Sequence, residues 1–255
     1  MRKKLYVFAF ISLWLIAIPA VAQKVYTVTS GEIILSRSDA SYTQAFMTKY
    51  PGASFSTNDV RFTMFFHAGE YVHYDFTNNF GLFSGLAVRN IGMITDETLP
   101  QSVAGGEGSV HYAEYKIIKR QYALGVPLAL KIGAFNKHLY FFGGGEYEMA
   151  FQFKEKFWTA SFDRSGPKTK DTKWFSSQTP TFMPSVFGGV QLPGGVNIRF
   201  KYYLTDFLNP DYKGNGNNVG GAVYDISDNS RYEQSKMFYL SICWQFNPAD
   251  LLDDK

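Results

Sequence analysis

Residues 138–154 read His138-Leu139-Tyr140-Phe141-Phe142-Gly143-Gly144-Gly145-Glu146-Tyr147-Glu148-Met149-Ala150-Phe151-Gln152-Phe153-Lys154. The odd positions from Leu139 to Phe153 carry no charge, whereas the even positions become polar at Glu146, Glu148, Gln152 and Lys154. Side chains alternate across a strand, so this is a period-two amphipathic strand. It also exceeds the five or six residues, roughly, of an ordinary soluble strand.

The same period recurs on both sides. Over 118–132, Tyr122, Leu124, Val126, Leu128, Leu130 and Ile132 oppose Lys119, Gln121, Ala123, Gly125, Pro127, Ala129 and Lys131. Over 196–205, Val196, Ile198, Phe200, Tyr202 and Leu204 oppose Asn197, Arg199, Lys201, Tyr203 and Thr205. Over 60–76 the apolar face is Phe62, Met64, Phe66, Ala68, Val72, Tyr74 and Phe76, interrupted by Glu70, against Arg61, Thr63, His67, His73 and Asp75. Over 236–246, Phe238, Leu240, Ile242, Trp244 and Phe246 oppose Met237, Tyr239, Ser241, Cys243 and Gln245.

Asn78-Asn79, Asn136-Lys137 and Pro193-Gly194-Gly195 punctuate these strands with short turns. The connections at about 95–112, 159–179 and 208–234 are longer and polar. Three hairpins, a terminal strand and a first strand near Ser30–Ser36 predict an all-β, antiparallel up-and-down barrel of about eight strands. That first strand alternates poorly. Short turns on one side and long loops on the other match the periplasmic turns and extracellular loops of transmembrane barrels.

The start of the chain is consistent with export. Arg2, Lys3 and Lys4 precede an apolar run to about Pro19 and the small-x-small site Ala20-Val21-Ala22. This is the layout of a cleaved signal peptide over 1–22, followed by a barrel domain over 23–246 and a polar tail over 247–255. The net charge of +3 resides entirely in that leader, so it gives no support for nucleic-acid binding. With one cysteine, Cys243, the chain cannot form an internal disulfide, and Cys243 is expected to face the lumen.

Periodicity alone does not say which face points outward, since a soluble lipocalin-like barrel alternates with its apolar face inside. Three features favour the membrane orientation. The less apolar face is small rather than charged at Ala123, Gly125, Pro127 and Ala129, as a crowded eight-strand lumen requires. Aromatics (Tyr74, Phe76, Phe80, Phe135, Tyr140, Phe157, Trp158 and Trp174) sit near strand ends, where girdles form. The last strand ends on Phe246.

The segments Asp75–Leu86 and Tyr122–Lys131 resemble the hairpin and the glycine-proline-lysine strand of the PorT-like outer-membrane β-barrel proteins of Bacteroidota. The resemblance covers roughly 28–246. It implies an outer-membrane barrel, with one branch linked to protein secretion, and no transferable catalytic residues. Pro248–Lys255 extends beyond the terminal aromatic of that pattern.

The inward faces carry Arg61, Arg89, Lys131, Glu146, Glu148, Arg199 and Lys201, which are expected to pair because unpaired charge in a confined lumen is costly. Of the four histidines, His67, His73, His111 and His138, the first two share a face about 20 Å apart, too far to chelate one metal. His73 and Asp75, at i and i+2, form a conceivable orienting pair for a serine nucleophile, though lumen pairs of this kind are commonly structural. Gly143-Gly144-Gly145 lies inside a strand with no following helix, so it marks close backbone contact or a barrel bend rather than a phosphate loop. The Asp and Asn residues of 208–230 match no calcium motif and suit a solvated loop. No cofactor, metal or catalytic residue is expected.

Three functions stay open on the sequence. The first is a non-enzymatic barrel, expected to be a monomer, acting structurally, in adhesion or in an envelope or secretion assembly. The second is a small porin-like or ligand-binding barrel. The third is a membrane-embedded lipid-modifying enzyme. Expected partners are outer-membrane lipid, the barrel-assembly machinery and envelope or secretion-complex proteins.

Overall fold

The computed structural model describes residues 24–57, 60–65, 67–101, 110–214 and 225–246. The expected leader over 1–22 and the expected tail over 247–255 lie outside the described residues. The elements are β1 (Lys24–Tyr42), helix α1 (Gln44–Lys49), β2 (Ser54–Ser56), β3 (Arg61–Thr63), β4 (Ala68–Asp75), β5 (Phe80–Gln101), β6 (His111–Ala134), β7 (Leu139–Thr159), β8 (Lys168–Trp174), β9 (Phe182–Gln191), β10 (Val196–Asp206) and β11 (Tyr232–Phe246).

Eight of these strands close an antiparallel ring in the order β1, β4, β5, β6, β7, β9, β10, β11 and back to β1. The closing pair runs from Thr29 opposite Phe246 to Tyr42 opposite Tyr232. Closure matters because an open sheet edge would leave unpaired amides and carbonyls with no water to satisfy them in lipid. Partner-to-partner steps from Lys24 through Asp75, Gly81, Lys131, Phe142, Gly189, Arg199 and Ser241 return to β1 at Ile34, ten residues higher. A stagger of that size in eight strands tilts them by roughly 40°.

The three short turns join β4 to β5, β6 to β7 and β9 to β10, all at one end. Several boundaries differ from the expected ones. β1 extends well past Ser30–Ser36 in both directions. Its pattern was faint because both faces carry small hydroxyl residues: Ser30, Ser36 and Ser38 are buried, while Thr27 and Thr29 are exposed. The strand read over 60–76 is broken between β3 and β4, with Met64, Phe65 and His67 outside both; Phe66, expected on its apolar face, lies outside the described residues. There, side chains replace ladder bonds to β5: the Arg61 guanidinium donates to the Asn90 carbonyl at 2.9 Å, and the Asn90 amide donates to His67 Nδ1 at 3.3 Å. The loop expected over 159–179 contains β8, which pairs with the upper part of β7, and β5 continues through Gln101.

The two faces of the wall settle its orientation. Leu128, Ile132 and Phe141 are 61%, 62% and 66% exposed, whereas Arg89, Glu148 and Lys201 on the inner faces are 0% exposed. An apolar exterior around a charged interior is what a barrel presents to lipid. The outward run Leu139–Met149 on β7, at about 3.4 Å per residue and roughly 40° of tilt, spans about 25 Å, the height of such an apolar band. Not every aromatic near a strand end belongs to the girdles. Tyr140 and Phe157 point inward and are buried, and Phe135 packs edge-on to Tyr140 at 5.4 Å. On the outside, Phe76 sits beside Phe80 near the lower rim, and Phe151 stacks on Trp174 near the upper one.

Leu128→Lys, placing a cation near mid-band on the lipid face, is expected to destabilise the vesicle-inserted barrel by about 2–4 kcal/mol. Urea titration monitored by tryptophan fluorescence measures this. An unchanged midpoint would place β6 in water.

Candidate functional site in the barrel lumen

Inner-face positions on four strands carry a balanced set of charges: Glu32 on β1, Arg89 on β5, Glu146 and Glu148 on β7, and Arg199 and Lys201 on β10, and β11 adds Ser241. All six ionisable groups are at most 3% exposed. Arg89 is the hub. Its Nε donates to Glu146 Oε1 at 3.0 Å and its Nη2 to Glu146 Oε2 at 3.2 Å, a two-pronged pairing. Nη1 binds Glu32, which also accepts from the Ser241 hydroxyl. Lys201 Nζ lies 2.9 Å from Glu146 Oε2 and also pairs with Glu148, which accepts from the Tyr203 hydroxyl at 2.9 Å.

Gly125 makes room for this network. A Cβ added there would collide with the Glu146 carboxylate and sit 3.2 Å from Glu148 Cγ. Gly144 answers a different need, since its Cβ would collide with the Leu128 carbonyl and lie 2.6 Å from Ala129 Cα on the neighbouring strand. Within the triple glycine the close strand approach is therefore at Gly144 alone, since a Cβ at Gly143 or Gly145 would meet only ordinary contacts at 3.6 and 3.5 Å.

The residues expected to form one polar network divide into three places. Arg89, Glu146, Glu148, Arg199 and Lys201 lie together. Arg199 stands 4.0 Å from Glu32 and over the rings of Phe187, Phe142 and Tyr71 at 5.1, 5.5 and 5.9 Å, with no hydrogen-bond partner for its guanidinium among the described residues. Lys131 sits lower, pairing with Asp75 at 2.5 Å, His73 Nδ1 at 3.1 Å and the Tyr26 hydroxyl at 2.9 Å. Arg61 lies at the seam described above, bound to Asn90. His73 is clasped between Tyr26 and Phe83, at 4.9 and 5.0 Å. The His73–Asp75 pair thus converges on Lys131, with no serine hydrogen-bonded to the imidazole among the described residues. Cys243 is buried on the inner face of β11.

A scan against protein-family models finds no match, and no curated protein matches. Among solved structures, the attachment invasion locus protein Ail of Yersinia pestis is similar at 12% identity, over 87% of this chain and 98% of that one, with a TM-score of 0.33. Its complex with the heparin analogue sucrose octasulfate is similar at 12% identity over 88% and 100%, with a TM-score of 0.35. The outer membrane protein OprG of Pseudomonas aeruginosa is similar at 12% identity over 89% and 97%, with a TM-score of 0.33.

A second polar layer lies at the mouth, and sequence periodicity gave no sign of it. Glu97 of β5 accepts from Thr95 at 2.6 Å, Tyr42 at 2.8 Å and Arg231 Nε at 3.0 Å, and also binds the Tyr232 hydroxyl. Lys119 donates to Asn229 Oδ1 at 2.6 Å and pairs with Glu155 at 3.4 Å, while Ser227 donates to Glu155 at 2.7 Å. Residues 225–231 are thereby drawn onto the barrel mouth. Phe46 and Tyr50 from the α1 region pack there with Leu99, Phe207, Leu208 and Ile226. The N-terminus of α1 is capped by Thr43, whose hydroxyl accepts from the Phe46 amide at 3.2 Å.

Glu97 stands nine positions beyond Val88, clear of the apolar belt. Burial alone would raise its carboxyl; the Arg231 guanidinium and the hydrogen bonds from Thr95 and Tyr232 outweigh that and hold it below the usual range. The ionised form is the one the folded mouth prefers. Its stabilisation is complete above the ordinary glutamate value of about 4.3 and fades as pH falls through the depressed native value.

Two outcomes follow. Arg89→Ala, which strands buried carboxylates, should cost about 3–5 kcal/mol of barrel stability in urea titrations. Hydrogen exchange should find residues 226–232 protected at pH 4.5 in the wild type and unprotected at neutral pH in Glu97→Gln. Protection equal in the two proteins would show that the mouth is held by apolar packing alone.

Proposed function

We propose that the protein is a non-enzymatic barrel of a bacterial outer membrane, acting as a rigid scaffold in an adhesion, envelope or secretion assembly through the loops at its capped end. The observation that carries this reading is the interior. Four strands are tied across the lumen by Arg89, Lys201 and their carboxylates, and the mouth is covered by α1 and residues 225–231. A bridged interior suits a load-bearing support better than a conduit. Eight strands also leave a lumen just wide enough for side chains. The leader-like segment at 1–22 and the resemblance of Asp75–Leu86 and Tyr122–Lys131 to PorT-like barrels support the location and the assembly role. On this reading the specificity lies in the loops, where a rigid scaffold places binding residues.

The test has two stages. Full-length precursor expressed in a Gram-negative host should yield, in the outer-membrane fraction, a band whose mobility shifts on boiling. The purified folded barrel should then give no step-like openings in a planar bilayer. Sustained steps would replace the scaffold reading with a small pore, and a soluble periplasmic product would remove the membrane reading altogether.

A further inference from the structure

The outer wall carries a cluster of cations that the lumen chemistry does not use. Directly above the belt, the outward positions of β7 change from Tyr147 and Met149 to Gln152, Lys154 and Lys156. Across the ladder Arg120 of β6 stands directly opposite Lys154, and Lys170 of β8 directly opposite Lys156. Lys168 follows, opposite Trp158. Facing residues in an antiparallel pair share a side of the sheet, so Arg120, Lys154, Lys156, Lys168 and Lys170 form one outward patch. Like charges directly opposite destabilise a sheet.

Nothing among the described residues compensates them. None of the five makes an ion pair there, and Arg120 Nε is buried without a hydrogen-bond partner. The nearby outward carboxylate, Asp96, is engaged by Lys116 at 2.8 Å. Glu155 and Asp171 lie on the inner side of the same strands, where Lys119 and Lys173 meet them. Aromatic rings hold the cations in place: Lys154 lies 5.0 Å and Arg120 5.9 Å from the Tyr122 ring, and Arg164 and Lys168 flank Trp158 at 5.7 and 5.9 Å.

The geometry points to a docking surface for the phosphate groups of anionic outer-leaflet lipids, formed by Arg120, Lys154, Lys156, Lys168 and Lys170. The choice of a lipid over a soluble polyanion rests on direction and height. The patch faces sideways from the wall, not upward from the mouth, and it is continuous with the apolar belt. A lipid whose chains lie along Leu124 and Tyr147 would have its headgroup at this level. The inference rests on the outer-membrane reading proposed above.

The experiment uses the full chain folded into phosphatidylcholine vesicles, in EDTA so that no divalent cation bridges phosphates. Binding of bisphosphorylated lipid A is compared with that of dephosphorylated lipid A carrying the same acyl chains. The wild type should prefer the phosphorylated lipid, and added salt should weaken that preference. Each cation near an anionic surface contributes about fivefold, so the triple variant Lys154→Gln/Lys156→Gln/Lys170→Gln should bind about a hundredfold more weakly. Its boiling-dependent gel shift in phosphatidylcholine should be retained, because the substitutions relieve repulsion. If the triple variant fails to fold, the single variants Lys156→Gln and Lys168→Gln should each lose about fivefold. Equal binding of the two lipids, or undiminished binding by the variants, overturns the inference. Displacement by equimolar inorganic tripolyphosphate shows a free-anion site and overturns the lipid assignment. A chain that gives no gel shift in any vesicle rejects the outer-membrane reading itself, a result distinct from a folded barrel with no preference for phosphate.

Discussion

Three carboxylates, Glu32, Glu146 and Glu148, are enclosed in a space with little room for water, and the interior is organised around neutralising them. Arg89, Lys201 and Arg199 meet them from other strands, so the charges balance only when the ring is closed and in register. A slip of one residue on β7 would send Glu146 and Glu148 into lipid and bring Tyr147 and Met149 inward. Register, closure and charge balance are therefore one constraint. A buried ion network of this kind is weak evidence for extra stability, since apolar substitutes often do as well. Its stronger consequence is that alternative registers leave uncompensated charge in lipid.

The same constraint explains where small residues occur. On β6, Gly125 stands opposite Glu148 of β7, and its missing Cβ leaves the space in which the Glu146 and Glu148 side chains lie against β6 and reach Arg89 and Lys201. Below, the space is filled by rings, with Phe83, Phe142 and Phe187 packed around Tyr71 and against Arg199. The Arg89 network occupies the middle, aromatic rings with the Lys131–Asp75 pair among them the closed-turn end, and a folded-back loop the mouth.

The strands with high contrast between their faces were legible in the sequence: β6, β10 and β11 stand where alternation puts them, and β7 does so up to Ala150, where a bulge against Tyr122 and Ala123 reverses its faces, turning Phe153 inward and Gln152 and Lys154 outward. β1 was not, because serine and threonine occupy both of its faces, and Glu32 was consequently missing from the expected lumen set. The break between β3 and β4 was hidden for another reason. Arg61 and His67 continue the inward alternation, yet they serve as side-chain substitutes for backbone pairing to β5, which period-two patterning does not encode. The mouth layer depends on pairs such as Glu97 with Arg231 and Lys119 with Asn229, separated by more than a hundred residues and partly outside any strand. Only the folded ring brings them together.

Above the belt the wall keeps its inner charges paired and leaves its outer cations uncompensated. On β7 and β8 the alternation that sets Glu155 and Asp171 inward necessarily sets Lys154, Lys156, Lys168 and Lys170 outward. The two signs are thus separated by the thickness of one sheet. A sheet in bulk water would gain from interspersing them across each face, where opposite charges on facing strands attract. Segregation is favourable only if each face meets its own complement. Lys119 and Lys173 supply it on the inner side. On the outer side the complement has to come from the surroundings, at the level where an apolar belt gives way to headgroups.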